Sequence, residues 1–332
     1  MIKKGLYLCL LLMLLLGLAT SLHPVRAAET DCGLRDPSTI VRDHGLYWIY
    51  GTGRGIPEYS SSDRLHWTFR GEVFSSAPAW VASTVPASTS NFAWAPDIRF
   101  FHGKWHLYYS FSSFGSNISG IGVATNDTLS PRSWTDQGLV VQSGKNTNYN
   151  AIDPAIFQGP NGELWLSFGS FFSGIKLVQL DTATGKQRAG LSNIYTLAEH
   201  PQSPVNAIEA SMVTYHVGFY YLFVNWDRCC SGNQSTYNIR VGRSKNITGP
   251  YHDRAGLKML QGGGTLFLGA VKSSVAGAVT EEVGPGHAGV LSERGGEFFS
   301  CSYEWARDRA GKSTVNVSKL TWDRDGWPQI SE

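Results

Sequence analysis

Four carboxylates and one imidazole stand at comparable places in five similar stretches: Asp36, Asp97, Asp153, Glu209 and His287, separated by 61, 56, 56 and 78 positions. Each leads a short apolar run, a Gly-containing turn and an aromatic-rich run, as in IDPAIFQGPNGELWLSFGS from Ile152 and IEASMVTYHVGFYYLFVNWD from Ile208. Carboxyls gathered from such places can divide acid–base labour. One protonates a leaving oxygen and a second activates water or attacks directly, which is the chemistry of glycosidic-bond hydrolysis. The acid must hold its proton near working pH, and a third carboxylate beside it raises its pKa. Glu209, one methylene longer than Asp, suits the reach to an interglycosidic oxygen. Asp36 and Asp153 each precede a proline, which favours extended backbone at the aspartate. A single Asp-Pro reads best as a strand cap bonded to loop amides; three acids recurring across repeats read as a site. Asp97 reads as structural or subsite-shaping.

Residues so far apart need a scaffold that returns the chain to one axis. In the third stretch Asp153–Phe157 suits a buried strand, Gly159-Pro160-Asn161-Gly162 is a turn, and Glu163–Phe168 alternates as a second strand should. The fourth repeats this with Ala210–Tyr215, a turn at Val217-Gly218, and Phe219–Val224. Two further strand-like runs follow the third hairpin, Gly174–Leu180 and Ile194–Leu197. Four strands per unit, recurring five times, predict an all-β fold, a five-bladed β-propeller whose innermost strands start at one face and bring the leading residues together. No segment shows sustained helical periodicity, and Pro78–Ser90 reads as a loop near the cleft.

The chain opens with two lysines, an apolar core from about Leu6 to Leu18, and small residues around Ala27, the pattern of a secretory signal peptide over residues 1–27. The run is too short for a membrane span. Residues 28–332 then form one domain, secreted or periplasmic, without membrane attachment once the leader is removed, and monomeric. The 37 glycines, 12% aromatic and 16% charged residues suit many short strands and tight turns. A net charge of +2 without a basic run excludes nucleic acid as partner. Outside the leader stand Cys32, Cys229, Cys230 and Cys301, an even number in an oxidising compartment. A vicinal Cys229–Cys230 bridge with Cys32–Cys301 tying first repeat to last is one option; free buried thiols are another. Adjacent Cα atoms lie about 3.8 Å apart, below the usual disulfide range.

The stretches RDPSTI, FAWAPDI, YYSFSSFGSNISGIGVAT, NAIDPAIF, LWLSFGSFFSGIKLVQLD, NAIEASMV, STYNIRVGRSKNITGPY and GPGHAGV, in this order, resemble glycoside hydrolase family 43 over essentially all of the chain beyond the leader. The resemblance is greatest to the endo-α-1,5-L-arabinanase type. It implies internal cleavage of plant cell-wall arabinan or arabino-oligosaccharides by inversion, with Asp36 as general base, Glu209 as general acid and Asp153 tuning the acid. Inversion places base and acid carboxyls about 6.5–9.5 Å apart. The resemblance also implies a calcium ion in the central channel, held mostly by waters, with His287 as metal residue.

Trp94, Phe114 and Phe172 are candidate walls and platforms for sugar rings, and Asn150 and Ser170 candidate partners of sugar hydroxyls. Phe171 and Trp165 read as core, and Trp226–Cys230 as cleft rim. Arg35 stands where many relatives carry His and is a further candidate substrate contact. Alternatives on the same scaffold are exo-arabinanase, α-L-arabinofuranosidase and β-xylosidase. A non-catalytic carbohydrate-binding propeller is the alternative of another class.

Overall fold

Each of the five stretches folds as a hairpin, and further strands extend each hairpin into a sheet, giving a five-bladed β-propeller. The computed structural model describes residues 28–129, 133–188, 190, 193–275, 278–307 and 310–331, so the expected leader lies outside it. The short β1 (Ala28–Glu29) belongs to the last blade. Blade one takes β2 (Val41–Asp43) and β3 (Leu46–Tyr50). After the two-residue β4 (Gly53–Arg54), which joins the next sheet, it adds β5 (Pro57–Ser61) and β6 (Thr68–Glu72). Helix α1 (Ala79–Thr84) precedes blade two: β7 (Phe92–Phe101), β8 (Lys104–Phe111), β9 (Ser119–Asn126) and β10 (Thr135–Ser143). Blade three is β11 (Ala155–Gln158), β12 (Leu164–Phe168), β13 (Ile175–Leu180) and β14 (Tyr195–Ala198). Blade four is β15 (Ile208–His216), β16 (Phe219–Trp226), β17 (Asn238–Ser244) and β18 (Thr265–Leu268). Blade five is β19 (Val271–Val275), β20 (Ala278–Glu293), β21 (Gly296–Ala306), β22 (Lys312–Trp322) and β23 (Pro328–Ser331). Among the described residues no helix is long and apolar enough to cross a membrane.

The core is divided as the ring demands, with one apolar cluster between each pair of neighbouring blades. Leu107 and Tyr109 pack with Trp48 and Tyr50 of blade one, whereas Tyr108 packs with Leu166 and Val178 of blade three. Alternation along β8 thus sends successive side chains to opposite neighbours. Trp165 joins Leu222 and Trp226 between blades three and four. Phe223 meets Phe299 between four and five, and Ile49 meets Val315 between five and one.

Closure of the ring is a backbone matter. β1 pairs antiparallel with β22, Ala28 opposite Val317 and Glu29 opposite Asn316. Beyond it the Thr30 amide donates to the Val315 carbonyl at 3.1 Å and the Val315 amide to the Cys32 carbonyl at 2.9 Å. Of the two options for Cys32 and Cys301 the structure has the second: both thiols are free and buried, Cys32 between blades five and one, Cys301 between four and five. Strand pairing does what a Cys32–Cys301 disulfide would have done.

Pro78–Ser90 is not all loop. Trp80 of α1 stacks on Tyr109 with ring centroids 6.1 Å apart and meets Phe111 edge-on. Gly120 and Gly122 make room for it, since a Cβ at either would lie 2.7 Å from the indole. Six residues are fewer than two turns, too few to show a helical period.

Asp97 staples three inner strands. Its buried carboxylate accepts the Thr39 amide at 2.9 Å and the Ile156 amide at 2.8 Å. Burial raises its pKa while these amides hold it down. Asp97→Ala leaves two buried donors unpaired, at roughly 1–3 kcal/mol each. The expected loss is about 2–4 kcal/mol in urea unfolding, with Asp97→Asn, which keeps one acceptor, in between. An unchanged midpoint would show that solvent takes over both amides.

Candidate active site

At the mouth of each inner strand two residues oppose one: 36–37 against Gly51, 95–96 against Tyr109, 153–154 against Phe168, 210–211 against Val224 and 287–288 against Cys301. These are β-bulges, which bend a strand and re-aim a side chain. The first residue of each is left-handed without being glycine: φ is 47° at Asp36, 39° at Ala95, 56° at Asp153, 51° at Ala210 and 53° at His287. Two expectations are corrected here. The aspartates before proline are not extended; proline is accepted because the second bulge position gives no amide to the ladder. Nor are the five leading residues equivalent. Asp36, Asp153 and His287 share the bulge position, Glu209 stands one residue before it, and Asp97 follows Ala95 by two.

A non-glycine residue in this conformation costs about 1–3 kcal/mol and persists where its surroundings over-determine it. Side chains from the preceding blade do so at three bulges. Thr52 Oγ1 accepts the Ala95 amide at 2.8 Å, Asp153 Oδ2 the Ala210 amide at 3.2 Å, and Asn225 Oδ1 the His287 amide at 3.3 Å.

The result is a chain of ionisable groups across the channel mouth. His287 lies between two carboxylates, Nδ1 at 3.2 Å from Asp36 Oδ1 and Nε2 at 3.8 Å from Asp153 Oδ1. Neither ring nitrogen makes a well-angled hydrogen bond, and both are buried. Burial opposes the charged imidazole, but Asp36 and Asp153 override it and push its pKa well above the ordinary value. Burial likewise opposes the ionised Asp36, yet His287, then Thr52 and Arg35, hold that carboxyl at about 2. Asp36 keeps 31% of its side chain accessible, against 7% for Asp153.

Glu209 is tuned the other way. Burial, and after it the field of Asp153, lift its pKa to about 7 against the pull of Ser170, Tyr237 and His287. Ser170 Oγ donates to Glu209 Oε2 at 2.6 Å, so its proton is committed to the acid rather than free for a sugar hydroxyl. Near neutral pH Asp36 is ionised while Glu209 still carries its proton in about half of the molecules. An acid and a base of this kind can hydrolyse an acetal.

The candidate contacts fall into two groups. Trp94 and Phe114 form one aromatic wall, rings edge-on with centroids 6.2 Å apart, and Phe114 is 81% exposed. Phe172 is exposed in the loop beside Ser170, while Phe171, expected in the core, is only half-buried. Asn150 is buried, its Oδ1 accepting from Ser119 at 2.6 Å. Arg35 is exposed beside Asp36, its Nη2 at 3.8 Å from Cys230 Sγ. Cys229 and Cys230 are free thiols, so the vicinal bridge is also absent. Sequence reasoning passed over Thr52, Asn225 and Tyr237, although Tyr237 lies in the quoted stretch STYNIRVGRS. Nothing in residue type separates them from ordinary strand residues.

A ring of blades that gathers an acid and a base at its axis has the groups a glycosidase needs. The chain belongs to the glycosyl hydrolases family 43, whose sequence pattern matches residues 31–328. It is 40% identical over 316 residues to an extracellular endo-alpha-(1->5)-L-arabinanase of Bacillus subtilis (strain 168), covering 93% of this chain and 92% of the relative. It is 37% identical over 323 residues to an extracellular exo-alpha-(1->5)-L-arabinofuranosidase of Cellvibrio japonicus (strain Ueda107), covering 92% and 90%. The solved structure of a Cellvibrio cellulosa alpha-L-arabinanase complexed with arabinohexaose superposes with a TM-score of 0.81 at 33% identity, covering 92% of this chain and 96% of that one.

Removing the Ser170 hydroxyl takes a hydrogen bond from the ionised form of Glu209, so its pKa should rise further in Ser170→Ala. Carboxyl-carbon NMR titration of glutamate-labelled protein measures this. A value equal to wild type or lower would discount the 2.6 Å contact as a determinant.

Proposed function

We propose that this protein is an exported endo-arabinanase, hydrolysing α-1,5-linked L-arabinan within the chain and inverting the anomeric centre. The observation that carries the mechanism is the opposite tuning of Asp36, near 2, and Glu209, near 7. Asp36 takes a proton from a water molecule that attacks the anomeric carbon. Glu209 gives its proton to the departing glycosidic oxygen. Solvent exchange then resets both groups. Asp153 keeps Glu209 protonated and fixes the bulge at Ala210 through its other oxygen. Arabinan as substrate is supported by the names of the relatives, and export by the extracellular designation of two of them. Trp94, Phe114 and Phe172 would offer apolar faces to furanose rings, and Arg35 a donor to a hydroxyl next to the cleavage point.

An exo-acting reading has its own support, because an exo-acting relative matches almost as well as the endo-acting one. Digestion of linear arabinan resolved over time separates the two. Mixed oligosaccharides in the first few per cent of reaction are expected; one small product from the outset would sink internal cleavage. Glu209→Gln should lower kcat by about 10²–10⁴, the usual worth of a general acid. In wild type kcat/KM should fall as pH rises through about 7, where Glu209 loses its proton. A profile flat to well above that pH would remove Glu209 from the acid's role.

The axial groups also suit a calcium ion. Both nitrogens of His287 are buried without a well-angled hydrogen bond, so an ion that displaced the ring's extra proton would find a ligand position there. Among the described residues these carboxylates and His287 form no tight three-ligand cage, so an ion here would keep most of its waters, as calcium can. When bound, the ion supplies the positive charge that favours ionised Asp36, a task that otherwise falls to the imidazolium. Chelation should lower activity and added calcium restore it in wild type but not in His287→Ala. Full activity after exhaustive chelation would count against the ion.

A further inference from the structure

Where the rim of blade four meets blade five, a second cluster of ligating atoms has no part in the acid–base chemistry. Cys229 and Cys230 follow β16, and the backbone turns left-handed at Cys230 with φ 60°. That turn aims the Cys230 amide at Glu304 of β21, both of whose carboxylate oxygens accept it at 2.8 Å. Both Sγ atoms and a Glu304 oxygen lie within 4.8 Å of one another, the only such metal-competent group among the described residues. Arg35 completes the surroundings, 3.8 Å from the Cys230 sulfur.

We propose that Cys229, Cys230 and Glu304 bind one thiophilic divalent cation of the zinc and cadmium class, clipping the loop after β16 to blade five at the cleft rim. The dimensions fit. With metal–sulfur bonds of about 2.3 Å and metal–oxygen bonds of about 2.0–2.2 Å, ligand atoms of a tetrahedral site lie roughly 3.3–3.8 Å apart. The sulfurs and the carboxylate oxygen, already within 4.8 Å of one another, need close by no more than about 1–1.5 Å to reach this spacing. Thiolates are soft ligands, so the site selects zinc or cadmium over calcium and does not compete for an axial ion. Charge balances as well. Each thiol gives up one proton, so a divalent ion with two thiolates and one carboxylate carries a single negative charge. Arg35 offsets it, and water fills the fourth position. The ion would add to the bonds that already tie Glu304 to this loop, from the Cys230 amide and the Ser235 side chain.

Cadmium is the probe, because its bond to thiolate gives a charge-transfer band in the near ultraviolet. The exported protein, its leader and with it Cys9 removed, purified without reductant and freed of metal, should show two thiols reactive without denaturant, since Cys32 and Cys301 are buried. Cadmium titration should raise the band to an endpoint of one equivalent, and zinc should displace it. Cys230→Ser should abolish the band. Glu304→Gln should weaken binding at least about tenfold, and this variant keeps the test open should the serine variant not fold. Three results overturn the proposal: no reactive thiols in native protein whose mass is lower by two hydrogens, meaning the pair is already a disulfide; no band with both thiols free; or equal affinity in wild type and Glu304→Gln.

Discussion

A strand packed between two neighbours in a ring shows its side chains alternately to one and the other, and none of them to the axis. The two-residue bulge at the mouth of each inner strand breaks this rule, and the site exists because of it. One left-handed residue per blade turns Asp36, Asp153 and His287 inward, while the same turn in blades two and four falls on alanine. The alanines are as informative as the acids. At those two places the backbone device is kept but its side chain is small, which leaves room for Trp94 and Glu209, each one residue earlier. Proline occupies the second position in three of the five bulges, where a missing amide does no harm.

The bulges also explain why similar carboxyls behave differently. All sit in a poorly hydrated channel mouth, so burial favours the neutral form of each. What separates them is which neighbour the bulge supplies. Asp36 faces the imidazole and is held ionised; Glu209 faces Asp153 and a serine, and keeps its proton near neutrality. His287 stands between the negative groups as the counter-charge, so blade five contributes the cation that lets blades one and three place two carboxylates near one another.

Much of this was legible in the sequence. Hairpin spacing gave the five blades, and the turns marked most strand ends, as at Gly159–Gly162. The register was not legible. Matching the repeats by their acids set Asp97 and Glu209 level with Asp36, whereas the bulges set Ala95 and Ala210 there. Asp36-Pro37, Ala95-Pro96 and Asp153-Pro154 would have shown this for blade two had proline been aligned instead of acid. Blade four, with Ala210-Ser211, offers no such mark. Asn225 and Thr52 were hidden for a different reason: each acts on the bulge of the next blade, and that adjacency arises only when the ring forms. Helix α1 was hidden by its brevity, and free thiols cannot be told from bridged ones by counting.

The pairing of β1 with β22 has a consequence for how the chain comes to be made. Blades two, three and four take their main strands from continuous sequence and can assemble without waiting for the end of the chain. The last sheet cannot, because the Thr30 hydroxyl bonds to the carbonyl of Val315, 285 positions away. Until those residues are synthesised the nascent protein is an open arc with an exposed sheet edge, the kind of surface that invites unwanted association. Completion is therefore one late, long-range event, slow by the entropy of closing so large a loop. In a circular permutant with β1 spliced after β23, that pairing would become the docking of a neighbouring strand, and the seam between blades five and one would have to close by side-chain packing alone.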